Sequence, residues 1–111
     1  ARSAELESGY FAALAGEYAG QGDVLLLQPP MPPDSVRRLA DAVSKTCGGL
    51  AAVFAGGEGQ YHYALVHPGE DITPLFKSMN QALHGLGGGR NGFAQGSAQT
   101  HLEEINAFFG K

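Results

Sequence analysis

The sequence has no tryptophan, a single cysteine, two methionines and only seven lysines and arginines among 111 residues. The cysteine count and the charge balance each narrow the function. A lone Cys47 cannot close an internal disulfide, which fits a reducing, cytoplasmic setting. Seven cations against eleven carboxylates leave a net charge of −4, so a broad basic surface for nucleic acid is not expected. No apolar run approaches the ~20 residues that a membrane helix requires, and no membrane partner is expected. The opening stretch ARSAELESGYFAALAGEYAG carries carboxylates through its apolar pattern, unlike a signal peptide. It begins with Ala1 rather than methionine, which raises the expectation of a piece trimmed from a longer protein.

Catalytic patterns are equally scarce. There is no Cys-x-x-Cys, no His-x-x-x-His and no Gly-x-Ser-x-Gly. His62 and His67 lie five apart on a strand pattern and fall on opposite faces, which makes them poor joint metal ligands. Glu70-Asp71 reads as solvated charge leading into a helix. No catalytic residue, no metal ligand and no cofactor is assigned to this chain, and it is not expected to be an enzyme by itself.

What the sequence has in excess is glycine, 17 residues, set between strongly patterned segments. Leu6, Tyr10, Phe11, Leu14 and Tyr18 recur at helical spacing until Gly20 and Gly22 end the pattern. Two readings of that helix stay open: it packs on the domain's own core, or it pairs with another chain. DVLLLQPP reads as a buried strand, PPMPP as a stiff connector and Asp34 as an N-cap. The helix from Ser35 to about Thr46 buries Val36, Leu39, Val43 and Cys47 and turns Arg37, Arg38, Asp41 and Lys45 outward. GLAAVFAGG and YHYALVHPG form a hairpin, with Tyr61, Tyr63 and Leu65 on one face and His62, Ala64 and Val66 on the other. Thr73 caps the next helix and Pro74 opens it. Leu75, Phe76, Met79 and Leu83 are its buried stripe, and Gly85 closes it. A last helix follows the capping box Thr100-x-x-Glu103 and buries Leu102, Ile105 and Phe109. The order predicts an α/β fold: one mixed β-sheet packed with helices and preceded by an N-terminal helix. The division is a linker or dimerisation helix over 1–20 and an α/β domain over 23–111.

The segment GLGGGRNGFAQGSA, Gly85 to Ala98, read as a glycine loop with a strand within it as the alternative, holds the candidate site. From Ile72 to Leu102 there is no carboxylate, so a local anion site is compatible with an acidic protein. Lys77, Asn80, Gln81 and His84 share one helical face that runs into Gly87, Gly88, Gly89 and Arg90. Lys77, His84 and Arg90 are expected to converge on one anion, with bare glycine amides and the arginine fork donating to phosphate oxygens. Phe93 offers a ring for core packing or base stacking, and Gln95 a donor and acceptor for a base edge or ribose. The segment matches neither the Walker pattern nor a dinucleotide fingerprint, and as a generic glycine loop its bland reading is a tight turn or a solvated helix face.

As a specific string, GGGRNGFAQGS preceded by a helix carrying Lys77 and Asn80 resembles the signature of the DHHA1 domain. This is the C-terminal module of alanyl-tRNA synthetases, long-form alanyl-tRNA editing proteins and DHH-type phosphoesterases. Arg90, Phe93, Ala94, Gln95 and Gly96 occupy the places typical of the alanyl-tRNA branch, where phosphoesterases usually carry histidine at the position of Arg90. The resemblance spans roughly Asp23 to Phe109. It implies an accessory domain that binds tRNA-Ala, with homodimerisation through the leading helix, in a protein whose zinc-dependent editing domain lies upstream. FAQGS and the short final helix favour the editing protein over the synthetase. The helical face and the resemblance together give the expected site residues: Lys77, Asn80, His84, Gly87, Gly88, Gly89, Arg90 and Gln95. Two other readings stay open: the nucleotide- or phosphate-binding half of a phosphoesterase, and a purely dimerising interaction module.

Overall fold

The computed structural model describes the backbone of residues 4–110 and the side chains of residues 9–110. The predicted α/β class is correct. Four helices, α1 (Ala4–Glu17), α2 (Pro33–Cys47), α3 (Thr73–Ala82) and α4 (Leu102–Phe108), accompany five strands. These are β1 (Gly22–Gln28), β2 (Gly48–Gly57), β3 (Gln60–Val66), β4 (Gly85–Arg90) and β5 (Phe93–Ala98), in the spatial order β1-β2-β3-β5-β4. β1 and β2 are parallel, joined by α2 as the crossover, and every other pair is antiparallel.

Strand alternation divides the core into two. Val24, Leu26, Ala51, Val53, Ala55 and Ala64 face α2 and join Val36, Leu39, Val43 and Cys47 in one buried cluster. Val36, Leu39 and Val43 are fully buried, each contributing roughly 1.5–3 kcal/mol by leaving water. The alanines at three of the sheet positions give α2 room to approach. On the other face Ala52, Phe54, Tyr61, Tyr63, Leu65 and Ala94 pack with Phe76, Met79 and Leu83 of α3 and Ile105 of α4. Tyr61, Tyr63 and Leu65 thus share a face, as their spacing predicted.

α1 packs on α2. Phe11 is 2% exposed within the α2 cluster, with Ala15 buried and Leu14 and Tyr18 partly buried beside it. Tyr10 leaves the stripe, half in solvent; the Leu6 side chain lies outside the described residues.

The helix starts differ in detail from the sequence reading. Pro32, not Asp34, is the N-cap of α2, because Pro33 supplies the preset first turn. Asp34 instead pairs with Arg37 at 2.8 Å and Arg38 at 3.2 Å. At α3 the N-cap is Ile72, and Asp71 Oδ1 accepts from both the backbone N–H and the hydroxyl of Thr73, at 3.0 and 2.6 Å. At α4 the reciprocal cap sits one residue later than predicted. Glu104 Oε1 accepts from the Thr100 hydroxyl (2.9 Å) and the His101 N–H (3.2 Å), and Leu102 is left 45% exposed.

Candidate functional site

The glycine segment is a hairpin, not a loop. Arg90 pairs with Phe93 across the two-residue turn Asn91-Gly92, and Asn91 takes a left-handed φ of 55°. Asn-Gly is the dipeptide that a two-residue hairpin turn favours. β4 lies at the end of the sheet, so its outer edge faces solvent.

This geometry changes what the glycines can do. A phosphate cradle needs successive amides pointing into one concavity. In a strand they alternate sides, and those on the same edge are ~7 Å apart with carbonyls between them. The reason for most of the glycines is close packing. A Cβ on Gly87 would lie 2.6 Å from Gly96 Cα and 2.7 Å from the Tyr63 hydroxyl, and one on Gly96 2.7 Å from Gly87 Cα. Gly88 alone in the run has open space around it.

The register also separates residues that the sequence grouped. Gly85, Gly87 and Gly89 fall on the α3 side with Ala98, Gly96 and Ala94. Leu86, Gly88 and Arg90 fall on the α2 side with Ser97, Gln95 and Phe93. Lys77, Asn80 and Gly87, with Gln81 and Gly85, therefore line an open cleft between α3 and β4. Gly88 and Gln95 line a groove on the opposite face, with Pro33, His62, Leu86, Phe93 and Ser97. The expected convergence of Lys77, His84 and Arg90 does not occur. His84 immediately precedes β4 and Arg90 ends it, ~20 Å apart at the rise of an extended strand.

His84 and Asn80 have structural positions. His84 takes a left-handed φ of 53° just after the C-cap Leu83, the role that Gly85 was expected to fill. Asn80 turns inward and accepts a 2.8 Å hydrogen bond from the Tyr63 hydroxyl. Burial holds the Tyr63 phenol above its ordinary range, partly offset by that bond.

The α2-side groove exists because α2 covers β1, β2 and β3 but not β5 and β4. Leu86 is 79% exposed there, Phe93, Gln95 and Ser97 are half-buried, and Arg90 is exposed. The Gln95 amide donates 3.1 Å to the Pro33 carbonyl, which ties the groove to the start of α2. Leu86, Ser97 and His62 are not among the site residues expected from sequence; the Asn91-Gly92 turn is the signal that places Leu86 opposite Ser97, and the pairing of Ser97 with His62 has no local signal. Among the described residues no cluster of three or more His, Cys, Asp or Glu is placed to hold a metal ion, and no helix is long and apolar enough to cross a membrane.

No family model and no curated protein matches the chain. Among solved structures it is similar to the C-Ala domain of the alanyl-tRNA synthetase from Aquifex aeolicus. The TM-score is 0.68 over 83% of this chain and 88% of that one, at 16% identity. At that identity the likeness is one of fold.

Proposed function

We propose that this chain is a tRNA-binding accessory domain of the C-Ala type, belonging to an alanyl-tRNA synthetase or an alanyl-tRNA editing protein. The observation that carries this reading is the helix-free half of the α2-side sheet face. It places Arg90 and Phe93 by the turn, then Gln95 and Ser97 along β5, on one face, with His62 of the adjoining β3 beside Ser97, and β4 and β5 carry no carboxylate. Arg90 supplies the phosphate contact, Phe93 a ring edge or face for an unstacked base, and Ser97 and His62 hydrogen-bonding groups. A two-sided cleft around Lys77 is not required.

In this reading the domain holds tRNA-Ala for a catalytic domain elsewhere in the parent protein, in the cytoplasm where tRNA is charged. In an editing protein that domain would carry the zinc. Two-dimensional amide NMR of the labelled domain, titrated with tRNA-Ala, tests the assignment. Shifts at His62 and from Arg90 to Ser97 support it. Shifts confined to α3 and Gly85–Gly87 would move the RNA to the opposite face, and no shifts at all would remove the reading.

A further inference from the structure

The two edges of the sheet are built differently. β1 carries a register break between Gly22 and Val24 and runs into Pro29-Pro30, features that discourage another strand from pairing. β4 has no proline, no bulge and no charge before Arg90. Residues that flank a two-residue turn exchange their hydrogen bonds, and the pattern then alternates along the pair. Arg90, Gly88 and Leu86 thus turn their backbone groups to β5, while Gly89, Gly87 and Gly85 turn theirs outward. Among the described residues, no backbone group of a loop or helix pairs with Gly85, Gly87 or Gly89.

We propose that β4 pairs with β4 of a second copy of this chain, antiparallel about a two-fold axis at Gly87. That register is self-complementary. Gly85 meets Gly89 of the second copy, Gly87 meets its own equivalent, and all the outward N–H and C=O groups are satisfied. It also accounts for two features that the monomer leaves unexplained. Gly88 has no steric or φ reason to be glycine, and Leu86 is 79% exposed. In the pair, Leu86 lies directly over Gly88 of the second copy, and the two Leu86 side chains meet as a diagonal pair across the axis. The only charged group on the strand, Arg90, falls at opposite ends of the ribbon. Phosphate fits this edge poorly, because each amide is followed by a carbonyl that repels it, whereas a strand uses both groups.

An interface of one strand per copy is smaller than the ~1,200 Å² of a stable dimer, so the association is weak and concentration-dependent. It is independent of the RNA reading, which uses Arg90 and Phe93 on the sheet face. The test is sedimentation equilibrium of wild type, Leu86→Lys and Gly88→Lys, which put the charge that protects an edge strand at the seam, from about 10 μM to about 1 mM, a range that brackets weak association. Amide exchange at Gly85, Gly87 and Gly89 is followed in parallel, and circular dichroism checks that each variant is folded. The expected result is a wild-type mass that rises toward the dimer, slowed exchange at the three glycines, and two folded variants that remain monomeric. A monomeric wild type at the highest concentration overturns the proposal. So does either variant dimerising like wild type, which would place the contact elsewhere, for instance on α1. Slowed exchange seen only on adding tRNA, at monomer mass, would assign the edge to RNA instead.

Discussion

The Tyr63 hydroxyl donates a 2.8 Å hydrogen bond to Oδ1 of Asn80, joining the central strand β3 to helix α3 beneath the glycines of β4. Gly85, Gly87 and Gly96 all close over this pair: a Cβ on Gly96 would sit 2.9 Å from the hydroxyl, and one on Gly85 3.1 Å from the Asn80 amide carbon. Asn80 is thereby a structural residue, although sequence spacing placed it with the ligand-facing groups. Asn80→Ala strands a buried hydroxyl and should cost about 1–3 kcal/mol. Tyr63→Phe should cost less, because the half-exposed Asn80 finds water. Urea midpoints measure both. Unchanged RNA affinity in folded Asn80→Ala would separate its structural role from a binding one.

Within one short strand, adjacent glycines should respond in opposite ways. Gly87→Ala drives a methyl toward Gly96 and the Tyr63 hydroxyl and should destabilise by about 1–3 kcal/mol. Gly88→Ala meets open space and should stay within about 0.5 kcal/mol of wild type. Equal losses at both positions would mean that the run needs backbone freedom throughout rather than close packing at particular residues.

Two carboxylates couple stability to acid. The Thr73 hydroxyl and N–H hold Asp71 below the ordinary aspartate range, and the Thr100 hydroxyl followed by the His101 N–H does the same for Glu104. A depressed native pKa contributes stability that is complete above the unfolded value, about 4, and is lost as pH falls through the native one. Asp71→Asn and Glu104→Gln should each be less stable than wild type at neutral pH and lose less on acidification. Thermal midpoints followed downward from neutral pH check the sign. Curves parallel to wild type would contradict it.

Most of the fold was legible because its signals are local. Alternation in YHYALVHPG, helical spacing in SVRRLADAVSK and the Gly and Pro boundaries each fix an element without knowledge of its neighbours. The candidate site was legible only as a stretch of chain. Glycines at consecutive positions mask the two-residue period, so the stretch reads as a glycine loop with a strand only as the alternative, and nothing local pairs the residues on the two sides of Asn91-Gly92. Once β4 is a strand, a group that looked continuous along the sequence splits between two faces: Lys77 and Gly87 on one, Gly88, Arg90 and Gln95 on the other. The inward turn of Asn80 depends on Tyr63, 17 residues away, and no helical-face argument contains that information. Leu102 was expected in the core from its place beside Ile105, but the cap formed one residue later and turned it outward.

The most direct test of the account is a fluorescence-anisotropy titration of tRNA-Ala and a non-cognate tRNA with wild type, Arg90→Ala and Lys77→Ala at two salt concentrations. If the RNA face is the helix-free side of the sheet, wild type binds and Arg90→Ala binds more weakly with its salt slope reduced by about 1. Lys77→Ala, altered on the opposite side, stays close to wild type. Wild type that fails to bind, or a loss that follows Lys77 and spares Arg90, would contradict the account.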